Sequence, residues 1–347
     1  MTDEQYMSRC IQLATIGGGC VAPNPRVGAV LVYEDKIIGE GFHKKYGDAH
    51  AEVNCINGVL SENKLLIEKS IIYVSLEPCN HFGKTPPCSD LIIKNNIKKV
   101  VIGCKDSYEE VAGRGIQKLK DAGVEVIAGI LENQCRDLNK RFFCFHEKKR
   151  PYIILKWAQS ANGKIGALND ERILISNEYS NRLVHKWRSE EAGILIGTVT
   201  AQKDNPSLTT RLWPGKNPVR IIIDNQLKLS SKLNIFDHQQ TTIIYNKLKN
   251  AIEGNLQFIK LEDDYFLKQL LYSLYEMNIQ SILVEGGSKT LQSFIDAGLW
   301  DEARIITNEQ MIIENGIAAP QMKVFHLARQ EKYFSDRIDY YKRRIES

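Results

Sequence analysis

Three short patterns near the N-terminus restrict this chain more than anything else in it: His50-Ala51-Glu52, Pro78-Cys79 and Pro87-Cys88. One histidine and two cysteines are zinc-type ligands. Three protein ligands leave the fourth tetrahedral position open, the arrangement of catalytic rather than structural zinc. His50, Cys79 and Cys88 are therefore the expected metal ligands, and the fold has to bring three separate segments to one point. Glu52 stands two residues from His50, near enough to move protons without being a ligand, and is the expected catalytic acid–base residue.

A lone histidine or cysteine is usually a packed residue, so order and setting carry the argument. Ile71-Ile72-Tyr73-Val74-Ser75-Leu76 reads as a buried strand, and Glu77-Pro78-Cys79 breaks it. Leu91, Ile92 and Ile93 after Cys88 read as a helix that Pro86-Pro87 introduce. A thiolate at a helix start is stabilised by unpaired N–H groups and the helix dipole. His50 likewise precedes a helical run, Ala51 to Leu60. Zinc deaminases of nucleobases use this set of His-x-Glu, Pro-Cys and a second Cys.

The cysteine spacing narrows the class. Simple cytidine and adenosine deaminases place the pair as Cys-x-x-Cys, whereas here eight residues separate Cys79 from Cys88. The phrase Glu77-Pro78-Cys79-x-His81-x-Gly83-Lys84-Thr85-Pro86-Pro87-Cys88, with Ala22-Pro23-Asn24-Pro25-Arg26-Val27-Gly28 upstream, resembles the deaminase half of the bifunctional riboflavin-biosynthesis deaminase–reductases. The resemblance implies a zinc deaminase acting on a diaminopyrimidinone that bears a ribosylamino 5′-phosphate.

At 347 residues the chain is long for one core and suggests two domains. All eight Cys lie at or before Cys144 and all four Trp at or after Trp157. Between them Glu147-Lys148-Lys149-Arg150-Pro151 is charged and ends in proline, so domains are expected at 1–147 and 151–347. Residues 1–150 carry 21 Lys and Arg against 19 Asp and Glu, and the rest 25 against 23. Neither half has the basic surplus of a nucleic-acid binder. No apolar run reaches membrane-spanning length, and the acidic, polar N-terminus does not read as a signal peptide. The remaining cysteines show no disulfide framework, which points to a reducing cytoplasm. Small-molecule substrates, no nucleic-acid or membrane partner, and a homo-oligomer are the expectation.

The first domain reads as α/β: a helix at Asp3–Ile16, a strand pair at Val27–Tyr33 and Lys36–Gly41, the His50 helix, the strand at 71–76 and the Cys88 helix. Then come a strand at Lys99–Gly103, a helix at Ile116–Ala122, a strand at Val124–Ile127 and one last helix over Asn133–Phe145. Alternating helices and strands imply a mostly parallel, covered sheet. The resemblance implies the cytidine-deaminase-like three-layer fold. It also makes Asn24, His43, Lys84 and Asp106 substrate-binding residues. The family motif after Asp106 usually continues Pro-Asn-Pro; here Tyr108 replaces the Asn, and Val111-Ala112-Gly113-Arg114-Gly115 restores the pattern.

The second domain opens on the apolar strand Pro151–Ala158 and a turn at Asn162-Gly163, where the family has Asp-Gly. A helix with Val184, Trp187 and Arg188 follows, then a strand Gly193–Gly197, the stretch Asp204-Asn205-Pro206-Ser207-Leu208-Thr209-Thr210-Arg211, and a strand Val219–Asp224. Ser281–Val284 reads as a buried strand running through Glu285-Gly286-Gly287-Ser288-Lys289 into a helix. Glycines there let backbone approach a phosphate at a helix N-terminus, and suit a positive-φ turn. The resemblance implies a dihydrofolate-reductase-like domain that uses NADPH to reduce the ribosyl group to ribityl. By the same resemblance Arg172, Arg188, Leu208, Arg211 and Glu285 hold substrate. Lys156, Ala158, Leu174, Thr200, Asp204, Asn225, Gly287, Ser288 and Lys289 hold cofactor. Lys247 and Lys249, after a strand at Thr241–Tyr245, are candidates for the cofactor's 2′-phosphate. The resemblance is weakest at Lys228–Lys260 and after Asn308.

Two other readings are a nucleoside or tRNA deaminase with an unrelated second domain, and a non-enzymatic zinc module. The first predicts Cys-x-x-Cys. The second predicts a closed fourth ligand, for which His81 is the obvious candidate.

Overall fold

The computed structural model describes residues 1–82, 86–108, 111–168, 173–262 and 264–343, apart from the side chain of Cys20, and divides into two compact units, Met1–Lys149 and Arg150–Ser347. In the first, α1 (Asp3–Ile16) precedes the hairpin β1 (Gly28–Tyr33) and β2 (Lys36–Phe42). Then come α2 (Ala51–Asn57), β3 (Ile71–Leu76), α3 (Cys88–Lys94), β4 (Lys99–Cys104), α4 (Arg114–Asp121), β5 (Glu125–Ala128), α5 (Glu132–Leu138) and α6 (Lys140–Lys148).

The strand order is β2-β1-β3-β4-β5. β1 runs antiparallel to β2 and to β3, while β3, β4 and β5 are parallel, so the sheet is mixed rather than mostly parallel. The tight turn at Glu34-Asp35, both residues in left-handed conformation, accounts for the β1–β2 pair, since two strands joined this way must run in opposite directions. Strand alternation builds the three layers. Ala29, Leu31, Ile72, Val74, Val100 and Ile102 pack with α2, α3 and α4 on one face. Val30, Val32, Tyr73 and Val101 pack with α1, Cys135 of α5 and Phe143 of α6 on the other. A capping box of Thr2 and Gln5 starts α1.

The single helix expected over Asn133–Phe145 is two, α5 and α6, broken at Asn139 (φ −111°, ψ 24°). The break turns the Asn139 carboxamide onto the Arg26 peptide: Oδ1 accepts from Arg26 N (2.8 Å) and Nδ2 donates to Arg26 O (2.8 Å).

The second unit contains β6 (Tyr152–Ser160), β7 (Lys164–Ala167), α7 (Glu178–Glu190), β8 (Gly193–Gly197), α8 (Thr198–Asp204), β9 (Val219–Ile223) and β10 (Thr242–Asn246). It continues with β11 (Ala251–Glu253), β12 (Leu256–Lys260), α9 (Phe266–Glu276), β13 (Ser281–Val284), α10 (Ser288–Asp296) and β14 (Glu302–Asn308). β15 (Gly316–Ala318), β16 (Phe325–Tyr333) and β17 (Asp336–Arg343) end it. Among the described residues the main sheet has the order β11-β12-β10-β9-β8-β13-β6-β14-β17-β16. β12, β10, β9, β8, β13, β6 and β14 are parallel, and β11, β17 and β16 are antiparallel additions at its edges. α9 and α10 cover one face and α8 the other. Parallel strands end together, so the turns after β8, β9, β10 and β13 share one edge, where ligands bind in open α/β sheets. No helix of the described residues is long and apolar enough to cross a membrane.

One packing detail sets the position of α2. A Cβ on Gly41 of β2 would lie 2.2 Å from Cys55 N and 2.4 Å from Ala51 O, so only glycine lets α2 press against the sheet. Gly41→Ala is predicted to destabilise the first unit by about 2 kcal/mol, the usual scale for overpacking. Amide exchange along residues 51–57 should accelerate, while exchange in β8 and β13 stays unchanged. Unaltered exchange in α2 would show that the backbone yields without cost.

Candidate metal centre and strand-end cluster

In the first unit two short helices deliver the metal ligands. His50 is the N-cap of α2, and Cys88 is the first residue of α3, with Pro87 before it. Cys79 follows the break after β3. His50 Nδ1 lies 3.6 Å from Cys79 Sγ and 3.3 Å from Cys88 Sγ, and the three ligand atoms lie within 4.8 Å of one another. Zinc bonds of ~2.0 Å to nitrogen and ~2.3 Å to sulfur at a tetrahedral angle put N and S about 3.6 Å apart. The donor set therefore fits zinc in chemistry and in spacing. Among the described residues His81 does not join this cluster, which argues against a closed, structural site.

The Cys88 thiol, and to a smaller degree His50 and the backbone N–H of Cys88 (3.3 Å), favour the Cys79 thiolate and pull it down to about 4 against the cost of burial. Glu52, 3% exposed at the second position of α2, has its carboxyl pushed up to about 7 by burial and by the Cys79 charge. A bound divalent cation would reverse the second effect.

The substrate-side residues form a connected group. Asn24 Nδ2 meets His43 Nε2 at 3.2 Å, and His43 Nδ1 meets the carbonyl of Ala49 at 3.1 Å. These partners assign the neutral tautomer with the proton on Nδ1, and burial lowers the His43 pKa. The His43 and His50 rings stand edge to face at 5.3 Å. Asp106 Oδ1 accepts from Tyr108 N at 2.8 Å, and burial raises its carboxyl to about 6. Tyr108, at the family's Asn position, turns its ring towards His146 (5.0 Å) and His81 (6.1 Å), so packing stands where an amide would hydrogen-bond. Lys84 lies outside the described residues.

Glu77 is a residue that sequence reasoning passed over. Its carboxylate, buried at the end of β3, accepts from Asp106 N (3.2 Å), Gly113 N (3.0 Å) and Ile116 N (3.1 Å). It fastens the Asp106 loop and the start of α4 to the turn that carries Cys79. Two glycines allow this: Gly113 has φ +84°, and a Cβ on Gly115 would lie 2.0 Å from Pro78 O. An acidic residue at the end of a buried strand was the available signal.

In the second unit Glu285 follows β13, and its side chain is 9% exposed. Arg188 of α7 grips both oxygens, Nε to Oε1 at 2.8 Å and Nη2 to Oε2 at 2.9 Å, and Nη1 donates to Thr209 O at 3.2 Å. Lys156 Nζ lies 3.4 Å from Oε2. Burial opposes the Glu285 charge, but Arg188 and Lys156 outweigh it and hold the carboxyl down at about 2. Burial lowers the Lys156 pKa. Arg188 thus has its fork committed to Glu285. Arg211 is exposed, and among the described residues no ion pair engages it. Leu208, at φ 54°, packs its side chain with Ile194, Ile196 and Ala201, which leaves only its backbone for a ligand.

The glycine turn after β13 is not a positive-φ turn. Gly287, the N-cap of α10, has φ −64°, so it is not a left-handed position. Its glycines answer to close approach. A Cβ on Gly286 would meet Thr290 Cβ at 2.8 Å, one on Gly287 would meet Thr200 Oγ1 at 3.2 Å, and one on Gly197 would meet Thr290 Oγ1 at 2.5 Å. The turns after β8 and β13 therefore interlock, and the space at Gly287 suits a bound diphosphate. Ser288 Oγ donates to Ala318 O at 2.9 Å, and Lys289 is exposed. Asn225 follows β9 with a buried Oδ1 that has no hydrogen-bond partner among the described residues. Ala158 is two residues from Lys156, on the same face of β6. Asp204 is the exposed last residue of α8, and Leu174 is 74% exposed. Lys249 pairs with Glu253 at 3.0 Å and lies over the Phe258 ring. The Lys247 amide N–H donates to Asn225 O. Arg172 lies outside the described residues. Asn162 is better served than an aspartate: its amide donates to Ile313 O (2.9 Å) while its oxygen accepts from Ile313 N (3.2 Å).

A three-ligand zinc centre on a three-layer α/β unit, and glycine–helix turns around a Lys–Glu–Arg cluster on a second, together define a zinc-binding deaminase joined to a dihydrofolate-reductase-like reductase. Residues 1–104 match the cytidine and deoxycytidylate deaminase zinc-binding region, and residues 151–311 the RibD C-terminal domain. The chain is 40% identical over 306 residues to the riboflavin biosynthesis protein RibD of Aquifex aeolicus, covering 86% of this chain and 85% of that one. It is 33% identical to RibD of Escherichia coli over 87% of this chain and 86% of that one. A Thermotoga maritima diaminohydroxyphosphoribosylaminopyrimidine deaminase/5-amino-6-(5-phosphoribosylamino)uracil reductase superposes with a TM-score of 0.88 at 36% identity, over 98% of each chain. Acinetobacter baumannii RibD superposes with a TM-score of 0.87 at 29% identity, also over 98% of each. The chain belongs to the RibD family of bifunctional riboflavin-biosynthesis proteins.

Glu77→Ala would strip three backbone N–H groups of their acceptor. Each buried donor left unpaired costs about 1–3 kcal/mol. Amide exchange at Gly113 and Ile116 should rise by at least about tenfold, and deamination should fall, with the reductase half intact. Parental exchange at both amides would show that water replaces the carboxylate.

Proposed function

We propose that the first unit deaminates 2,5-diamino-6-ribosylamino-4(3H)-pyrimidinone 5′-phosphate, and that the second uses NADPH to reduce the ribosyl group, giving 5-amino-6-ribitylaminouracil 5′-phosphate. The observation that carries the reading is the three-ligand cluster with Glu52 buried beside it. His50, Cys79 and Cys88 would hold zinc, which supplies Lewis-acid activation of water at neutral pH. Glu52 takes one proton from the attacking water and passes it to a ring nitrogen, then carries the remaining proton of the new hydroxyl to the departing amine, releasing ammonia and leaving a carbonyl. Asn24, His43 and Asp106 orient the pyrimidine, and Lys84 receives the phosphate.

In the second unit, reduction of the opened sugar's imine adds a hydride to carbon and a proton to nitrogen. NADPH supplies the hydride. Lys156, whose buried ammonium sits below the ordinary lysine range, is the group assigned to deliver the proton. Glu285, fixed by Arg188, holds Lys156 and the sugar hydroxyls. Arg211 takes the substrate phosphate, and Arg172 and the Leu208 backbone complete that side. Gly287, Ser288, Lys289 and Thr200 cradle the diphosphate, with Ala158, Leu174, Asp204 and Asn225 along the rest of the cofactor. Lys247, whose amide N–H donates to Asn225 O, and Lys249 are the candidate lysines for the 2′-phosphate. A homo-oligomer in the cytoplasm belongs to the same reading.

Glu52→Gln should keep zinc and lower deamination by roughly 10²–10⁴, the scale of acid–base groups. Reduction of pre-deaminated substrate should be unaffected. Near-parental ammonia release from a zinc-loaded variant would rule out the role of Glu52.

Gly287→Val should weaken NADPH binding, because the branched side chain enters the gap facing Thr200 where the diphosphate is assigned. Cofactor titration by fluorescence, with circular dichroism as the folding control, reads the effect. A folded variant with parental affinity would move the cradle elsewhere.

A further inference from the structure

We infer that Asn139 is a positioning residue for the deaminase, holding the Asn24 loop to the metal centre from a helix joint far along the chain. The inference rests on the deaminase reading of the first unit. Asn139 is 4% exposed, and its carboxamide pairs with both the N–H and the carbonyl of Arg26, as a neighbouring strand would.

The contact lies on a short path to the chemistry. Arg26 is two residues from Asn24, whose amide meets His43. His43 N donates to Val27 O, and the His43 ring bonds to the carbonyl of Ala49, next to the ligand His50. Gly28 N donates to Ser75 Oγ in β3, so β1 holds the loop at its end. Asn139 holds its middle.

The local sequence favours a different structure. Asn133–Phe145 reads as one helix, yet the chain breaks at the residue that makes this bond. A break that local preference does not ask for, at a residue with a specific buried partner, marks a place where a site outweighs propensity. The Arg26 peptide lies between Pro25 and Val27, and Asn139 bonds both its N–H and its carbonyl. Without Asn139 the loop would sample other positions and lose the alignment of Asn24 with the substrate.

The test uses the full chain, whose reductase half serves as an internal control. Asn139→Ala removes both bonds. Asn139→Asp keeps an acceptor for Arg26 N and loses the donor to Arg26 O. Asn139→Ala should raise the deaminase KM by roughly 10- to 100-fold, the usual effect of small misplacements. Its kcat should change much less, and zinc content and reductase kinetics should stay parental. Asn139→Asp should fall between it and the parent. Amide exchange across residues 22–28 should accelerate in Asn139→Ala while exchange in β3 does not. That readout tests the clamp even if the parental chain were found not to deaminate, which would count against the function reading instead. Parental KM and loop exchange in Asn139→Ala would overturn the inference. So would joint loss of zinc and reductase activity from both variants, which would make Asn139 a folding residue.

Discussion

Every peptide group buried at the end of a strand or helix needs a partner, and much of this structure depends on a few side chains that supply one. Glu77 takes two N–H groups at the start of α4 and one at Asp106. Asn139 and Asn162 each match both polar groups of a distant peptide. Asn246, the fully buried last residue of β10, donates to the carbonyls of Ile259 and Lys249 and accepts from Leu248 and Lys249 N–H groups. Asp301 accepts from Ile153 N while paired with Arg150. Leaving such groups unmet costs more than the bonds return, so these contacts specify where loops lie. The functional side chains sit on those loops.

The two sites handle buried charge in opposite ways. Glu285 keeps its charge because a guanidinium fork and an ammonium surround it, and truncating either partner would leave a buried ion exposed to desolvation. Among the described residues no ion pair engages Glu52. Burial raises its carboxyl towards the range where a group can both accept and return a proton. One site is built to hold a charge still, the other to let a proton move.

The sequence made the chemistry legible where it is local. His50-x-Glu52, Cys79 and Cys88 stand in short motifs, and strands such as Ile71–Leu76 and Gly193–Gly197 are continuous apolar runs. The antiparallel pairing of β1 with β3 was not legible, since strand direction is fixed by partners remote in sequence. The break at Asn139 was hidden because its partner is Arg26, 113 positions away in sequence. The double glycine after β13 was visible as a place of close approach, but the neighbours Thr200 and Thr290, which also exclude a side chain there, were not. β16, mostly exposed, and β17, which buries Asp336 and Asp339 beside Ile338, gave no clear apolar alternation. Arg188 was named as a substrate residue only through the family resemblance, while its grip on Glu285 was not legible because it depends on a residue 97 positions away.

The interlock at Thr290 bears on how this family can vary. One side chain on α10 fills the space above Gly197 in one turn and beside Gly286 in another. A larger residue at either glycine is tolerable only if position 290 shrinks at the same time, and a smaller residue at 290 opens a gap in both turns at once. Sites in contact are energetically coupled rather than additive. The three positions should therefore change as a set among relatives, and single steps between allowed combinations should be rare. Neutral drift at this edge of the sheet is then confined to a few narrow routes, although none of the three side chains has a proton to move or a substrate to hold.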